Sequence, residues 1–161
     1  MANENKKDFN AMLNNSKDMP KLVEMTDEKA IKQWGGRTLV IAPPVDYDKY
    51  MRLIPEGKLI TSNEIRKQIA NDYHADVTCP LTAGIFINMA AWASSQRKTD
   101  NTPYWRTLKS DGELNPKYPG GIEEQKTKLE AEGHSIIEKG RTNKRYFVED
   151  YEQKLYKLGG K

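Results

Sequence analysis

The segment Ile54-Pro55-Glu56-Gly57-Lys58-Leu59-Ile60-Thr61-Ser62-Asn63-Glu64-Ile65 is the most informative part of this sequence. It opens with a proline and a glycine two residues apart, Pro55 and Gly57, which predicts a turn. Thr61 followed three residues later by Glu64 is the pattern of a capping box, which satisfies free amides at the start of a helix. A helix is therefore predicted to begin at Thr61, with isoleucines repeating along one face.

A second helix is predicted to follow after a short polar connection. Pro80 suits the first turn of a helix, because the N–H that proline lacks would have no partner there. Apolar residues at helical spacing continue from Pro80 as far as Trp92. Two helices joined in this way are compatible with a helix-turn-helix, although any helical hairpin gives the same pattern.

Short helices and strands alternate in the rest of the chain. Helices are predicted over residues 9–13, 26–34, 47–54, 122–132 and 151–158, and strands over 38–42, 135–137 and 145–148, the last two as a hairpin. Residues 1–20 are equally compatible with a frayed arm, and 104–108 with a short strand or an extended loop. The predicted fold class is α/β (α+β), as a small single domain.

Three segments are distinguished within that domain. Residues 1–43 form an N-terminal arm with one helix and one strand, 44–137 form the helix-turn-helix core, and 138–161 form a C-terminal hairpin and tail. Of the 161 residues, 37% are hydrophobic and 30% charged, and three Trp, eight Tyr and three Phe supply core material. There is no run of about 18 apolar residues. With no apolar secretory signal near Met1, we expect a soluble cytoplasmic protein without a membrane segment.

Charge is distributed unevenly along the chain. The formal net charge is +3. Residues 1–43 carry a net +1, residues 44–137 a net −1 and residues 138–161 a net +3. The central segment is therefore not a basic block. Affinity for a polyanion would come from local patches, or from the tail cluster at 141–145, for which a solvated loop is the simpler interpretation.

Four parts of the chain follow one another with the spacing of a known family. Residues 54–65 are similar to its IPxGxVxTYGEIA segment, 80–93 lie at its recognition helix, and 103–106 stand where it has Pro-Cys-His-Arg. Residues 110–134 contain a match to its SDG…YxGG…KxxLLxxEG ending. The chain resembles, over roughly half its length, the DNA-binding domain of the methylated-DNA–protein cysteine methyltransferases, a family that includes the alkyltransferase-like proteins.

The departures from that family remove its chemistry. Its acceptor cysteine falls on Tyr104 and its general-base histidine on Trp105, and neither a phenol nor an indole can replace them. The tyrosine that rotates the damaged nucleotide aligns with Ser62, and the intercalating arginine aligns near Gly84. No lysine or arginine occurs anywhere from residue 71 to residue 96. The resemblance thus implies a non-catalytic relative.

Two interpretations are open for the aligned active site. Its candidate pocket residues are Tyr104, Trp105, Arg106, Tyr118 and Glu132. The aromatic rings can stack a flipped base or another planar ligand, or they can fill the cavity that a cysteine and a histidine would leave. We favour the second, because the replacements are larger. The resemblance implies that Arg106 supports the loop internally. For Glu132 the alternatives are a hydrogen bond within the pocket and an exposed position at a helix end.

The resemblance places candidate DNA contacts around the two central helices. They are Thr61, Ser62, Arg66, Lys67, Thr82, Ala83, Gly84, Arg97 and Lys98. The basic side chains can touch phosphates. The small residues at 82–84 allow a helix to approach a DNA backbone closely, but they equally allow two helices to pack together.

Few other residues suggest chemistry. Cys79, the single cysteine, excludes an internal disulfide and a multi-cysteine zinc site. It stands before a helix N-terminus, where the pKa of a thiol can fall, but a buried packing role is the more common one. His74 and Cys79 are too few ligands for a metal, and His134 is expected at the surface. No metal or cofactor is expected.

The leading hypothesis is a non-catalytic alkyltransferase-like protein that binds DNA, with alkylated or modified DNA among the candidates, without repairing it. A protein-interaction or small-ligand module that has kept the scaffold and lost DNA binding is the alternative. An enzyme that uses Cys79 is a third hypothesis. The net charge of the central segment and the missing arginine favour the second hypothesis, and family analogy favours the first. The charge of the surface that the second helix exposes discriminates between these two.

Overall fold

The computed structural model describes residues 7–158. Within that range the helices are α1 (Phe9–Leu13), α2 (Glu28–Trp34), α3 (Pro44–Met51), α4 (Ser62–Asp72), α5 (Pro80–Ser95) and α6 (Gly121–Ala131). The strands are β1 (Lys21–Glu24), β2 (Thr38–Ile41), β3 (Ile60–Thr61), β4 (Val77–Thr78), β5 (Thr107–Leu108), β6 (Ile136–Lys139) and β7 (Arg145–Val148). Short 3-10 helices cover Tyr104–Arg106 and Tyr151–Lys154.

Helix α5 lies at the centre of the core. Its buried face is made of small and branched apolar residues, against which α1 and α3 pack. That face includes Ala83, Ala90 and Ile87, all nearly inaccessible to solvent. Alanines allow the neighbouring helices to approach closely, so α5 is the helix around which the core packs.

The start of α5 is fixed by a three-stranded sheet. Its strand order is β1-β2-β4, with β1 antiparallel and β4 parallel to β2. Strand β4 ends two residues before α5, and the amide of Cys79 donates to the carbonyl of Val40 at 2.9 Å. The connection between α4 and α5 is therefore held by a strand as well as by a turn.

A second pairing brings the start of α4 beside the chain that follows Arg106. Strands β3 and β5 are parallel, with Ile60 opposite Thr107 and Thr61 opposite Leu108. The antiparallel hairpin of β6 and β7 packs nearby, and the amide of Leu114 donates to Tyr146 at 2.8 Å. These contacts position the 104–118 segment against the two central helices.

Most predicted elements are confirmed, including the start of α4, where the side chain of Thr61 accepts from the amide of Glu64. The expectation of one helix and one strand before residue 44 is wrong, because residues 7–43 contain two helices and two strands. Residues 104–106 form a 3-10 helix and not a strand or an extended loop. The helix predicted over 151–158 is wrong. Only Tyr151–Lys154 is helical, and the chain then extends. The backbone there bonds to Leu59 instead, whose amide donates to Lys154 at 2.9 Å and whose carbonyl accepts from Tyr156 at 2.7 Å.

The three predicted segments contact one another extensively. Helix α1 packs on α5, with the rings of Phe9 and Trp92 stacked at 5.8 Å between centroids. Strand β2 pairs with β4, and Glu113 bridges to Phe147 in the C-terminal hairpin. The described chain is thus a small mixed α/β domain. Among its helices, none has the length and apolar character needed to cross a membrane.

Candidate functional site

An ion pair between Arg106 and Glu132 joins three segments of the chain. Arg106 lies at the end of a 3-10 helix and Glu132 at the end of α6, and their Nη2 and Oε2 atoms are 2.6 Å apart. The Nη1 atom of Arg106 also donates to the carbonyl of Ile54 at 2.7 Å. This arginine therefore ties the 104–106 segment to the turn before α4 and to α6.

Glu132 accepts further hydrogen bonds beyond that pair. The indole of Trp105 donates to it at 3.0 Å and the amide of Gly57 at 3.3 Å. Burial alone would raise the pKa of this carboxyl, but the bonds from Arg106 and Trp105 outweigh it and lower the pKa below its ordinary value of 4.5. Glu132 is thus an ionised structural acceptor and not an exposed carboxylate at a helix end.

The aromatic side chains at the aligned active site pack against one another. Tyr104 meets Trp105 at 5.4 Å and Tyr118 at 5.2 Å between ring centroids, both edge to face. Tyr104 is only 5% exposed and Tyr118 only 2%. Their hydroxyls donate to the carbonyls of Pro119 at 3.3 Å and Thr107 at 2.8 Å. Both phenols are therefore packed and hydrogen-bonded within the protein.

Trp105 is half-buried and also engaged. The ammonium of Lys128 lies 4.8 Å from its ring centroid, and the guanidinium of Arg106 lies 5.3 Å away. Two cation–π contacts and the bond to Glu132 hold the indole in place. The ring also borders a cavity of about 530 Å³, which Tyr104, Pro119 and Lys128 line as well.

This arrangement offers no nucleophile for alkyl transfer at the aligned position. Burial raises the pKa of Tyr104 to about 12, so its phenol is neutral at neutral pH. Cys79 is buried and packs with Leu39 and Val77, in a different apolar cluster from Tyr104. Among residues 7–158, no group of three His, Cys, Asp or Glu side chains is arranged to hold a metal.

A cavity of about 340 Å³ opens between α5 and the 108–118 segment. Ser62 and residues of α5 form one wall, including Leu81, Gly84, Ile85 and Asn88. The opposite wall consists of Leu108, Lys109, Ser110, Asn115, Pro116, Lys117 and Tyr118. The side-chain amide of Asn115 donates to Asn88 at 2.8 Å and connects the two walls. The sequence does not single out Asn88, a polar residue within an apolar helix, or the loop residues Lys109, Ser110 and Lys117, because none of them belongs to a periodic pattern.

The outward surface of α5 is apolar. Leu81 is 71% exposed and Ile85 is 58% exposed, and Gly84 lies between them in the sequence. Ala83 is buried in the core, so its methyl group is not part of this surface. Thr82 is half-buried, and its hydroxyl lies 3.5 Å from the carbonyl of Cys79. The surface is thus neutral, which bears on the choice between the two leading hypotheses.

Three of the remaining predicted DNA contacts are held in bonds within the protein. Thr61 is buried and caps α4. Arg66 donates to the carbonyl of Thr78 at 3.3 Å. Arg97 donates to Asn10 at 2.6 Å and also to the 100–102 segment, so it fastens α1 to the end of α5.

The two predicted lysines are more accessible. Lys67 is exposed and lies 3.2 Å from Glu64, and Lys98 is exposed in the loop that follows α5. Like Lys109 and Lys117 of the cavity, both lysines are accessible to solvent.

The expectation that His134 lies at the surface is wrong. The side chain is only 7% exposed, and its Nε2 atom has no hydrogen-bond partner among the described residues. Burial lowers the pKa of the imidazole, which therefore stays neutral at neutral pH. Gly133 follows α6 with a positive φ and turns the chain inward. The sequence does not show this turn, because a polar residue after a helix is ordinarily expected to be exposed.

Comparison with known proteins identifies the fold. The structure is similar to that of S. pombe Atl1, an alkyltransferase-like protein, in complex with damaged DNA containing O6-carboxymethylguanine, with a TM-score of 0.51 and 20% sequence identity. A structure of S. pombe ATL in complex with DNA gives 0.50 at 20% identity. Each match covers 71% of this chain and 94% of the other. No family model matches the sequence, and no curated protein does. The chain therefore has an Atl1-like fold, as its motif order predicted.

Proposed function

We propose that this protein binds DNA through α4, α5 and the 108–118 segment, and that it does so without accepting an alkyl group. The fold supports this, because the similar S. pombe proteins were solved in complexes with DNA. In the proposed complex, a modified base that has left the duplex occupies the cavity beside α5.

The observation that carries the proposal is the composition of that cavity. Its volume of about 340 Å³ falls within the range of small-molecule sites. Asn88, Asn115 and Ser110 supply polar groups that can bond to the edge of a base. Lys109 and Lys117 are exposed on the same wall, where they can contact phosphates. Lys109 has only a loose ion pair with Glu113, at 3.7 Å.

The expected binding is weak and depends on salt. Two phosphate contacts give an expected fall in affinity of about tenfold between 50 and 200 mM salt. Fluorescence anisotropy with a labelled duplex, carrying either guanine or O6-methylguanine at one position, measures this directly. No binding to either duplex at the lower salt concentration would contradict the proposal.

Removing the two lysines should weaken binding and flatten its dependence on salt. The change Lys109→Ala with Lys117→Ala is expected to reduce the slope of log affinity against log salt by about one for each lysine. Lys29→Ala with Lys32→Ala, on α2 outside the cavity, is the matched control and should leave the slope unchanged. Equal slopes for the wild type and the cavity variant would show that these lysines do not contact DNA.

A second candidate function is favoured by the apolar surface of α5. A protein-interaction module on the same scaffold would explain why Leu81 and Ile85 are exposed and why this helix carries no cation. The anisotropy titration separates the two candidates. The interaction module is favoured if neither duplex binds at low salt.

A further inference from the structure

We infer that Leu81 and Ile85 form an apolar wedge that enters the DNA stack and occupies the space left when a base moves into the cavity. This inference rests on the proposed function and assigns a specific role to two side chains within it. Residues of this class, leucine and isoleucine among them, are inserted between base steps by proteins that kink DNA.

The geometry of α5 places the two side chains together. Residues four apart lie on the same face of a helix, one turn from each other. Both Leu81 and Ile85 line the cavity, and both are more than half exposed. A side chain that enters the stack must stand beside the space that receives the base, and these two do.

Gly84 leaves the surface beside the pair bare. A Cβ atom built at this glycine meets nothing within 4 Å. The two aliphatic side chains therefore project next to exposed backbone, and a duplex can approach α5 closely without a steric clash. A neighbour with a long side chain would compete with them for the same space.

The charge of the surroundings favours a nucleic acid as the occupant of this surface. Helix α5 itself carries no lysine or arginine, so in this inference its aliphatic side chains, and not a cation, fill the gap. The opposite wall of the cavity carries Lys109 and Lys117, which can hold the phosphates on either side of the gap. An apolar pair facing two cations across a cavity matches the bases and backbone of DNA.

Other exposed apolar side chains lack this position. Leu22 is 59% exposed and Leu53 is 51% exposed, but neither lines the cavity. They share the chemistry of the proposed wedge without its location, so they serve as matched controls.

The test uses a duplex with 2-aminopurine next to an O6-methylguanine, because 2-aminopurine becomes brighter when it loses its stacking neighbour. The wild-type protein should bind this duplex and increase its fluorescence. Leu81→Ala with Ile85→Ala should lose most of that increase and bind about tenfold more weakly, since two aliphatic side chains no longer become buried. Leu22→Ala with Leu53→Ala should behave like the wild type.

A second variant tests whether the wedge requires only apolar volume or these particular side chains. Leu81→Met with Ile85→Met keeps apolar volume and should retain the fluorescence increase. All four positions are exposed, so every variant should melt at the wild-type temperature. If the double alanine variant binds and brightens the duplex like the wild type, the wedge is overturned and DNA binding stands. If the wild type binds no duplex at low salt, DNA binding itself fails and the wedge with it.

Discussion

Replacing Glu132 with alanine is expected to lower the free energy of unfolding by about 3 to 5 kcal/mol, the range found when one partner of a buried ion pair is removed. The change leaves the guanidinium of Arg106 without its carboxylate, and it also removes the acceptor for Trp105 and Gly57. Both charged side chains are largely buried, at 13% exposure for Arg106 and 9% for Glu132. Urea denaturation followed by circular dichroism measures the loss.

Two variants determine whether the loss comes from this network. Glu124→Ala removes an exposed carboxylate 3.4 Å from Lys128 on α6, and it should cost no more than about 0.5 kcal/mol. Glu132→Gln keeps the shape and one acceptor oxygen. Its free energy of unfolding should therefore lie between those of Glu132→Ala and Glu124→Ala. Equal stabilities for Glu132→Ala and Glu124→Ala would mean that the network contributes nothing.

The Glu132 contribution should depend on pH in a definite direction. Because the pKa of this carboxyl is lower in the folded protein than its ordinary value of 4.5, the folded state binds the proton less readily than the unfolded state. The stabilisation is present above pH 4.5 and is lost as the pH falls through the folded pKa. The difference between the wild type and Glu132→Ala should therefore shrink in acid.

Trp105→Ala is expected to lower the free energy of unfolding by about 3 kcal/mol, near the lower end of the range for aromatic truncations because the ring is half-buried. The change removes the contact with Tyr104, two cation–π contacts and the hydrogen bond to Glu132. Trp105→Phe keeps a ring and loses the N–H, so it separates packing from hydrogen bonding. Thermal melts and urea titrations give the values.

The same variant tests whether the indole is a packing residue or a stacking surface for a ligand. If it packs, Trp105→Ala that is still folded at low temperature should bind DNA with unchanged affinity. A stacking role would produce the opposite pattern, in which the melting temperature stays constant and binding weakens by about 1 to 3 kcal/mol. That result would show that the aromatic cluster is part of the binding site.

Local signals predicted the helices well, because the start of a helix depends on residues that are close together in the sequence. Thr61 and Pro80 mark the starts of α4 and α5, and both helices begin there. The strands β3, β4 and β5 contain two residues each, too few for an alternating pattern, and their pairing depends on segments far apart in the chain. The extended segment after residue 154 escaped prediction for the same reason, since its partner is Leu59.

The candidate site was only partly accessible from the sequence. The aligned motifs identified Tyr104 and Trp105, but the chain alone could not decide between packing and ligand binding, which depends on neighbours such as Glu132 and Lys128. The cavity joins Ser62, Asn88 and Lys117, and the fold brings these separate segments together. The exposure of Leu81 was equally hidden, because apolar residues in a helix are normally predicted to face the core.

Native mass spectrometry of the protein mixed with a duplex that contains O6-methylguanine tests the central claim, binding without alkyl transfer, most directly. We predict a complex of protein and duplex at low salt, which dissociates on activation to release protein of unchanged mass, since the aligned position offers only the buried phenol of Tyr104. Protein that gains the mass of one methyl group, on Cys79 or elsewhere, would contradict the account by showing an acceptor. Free protein alone, with no complex at any concentration tested, would contradict it by showing no binding.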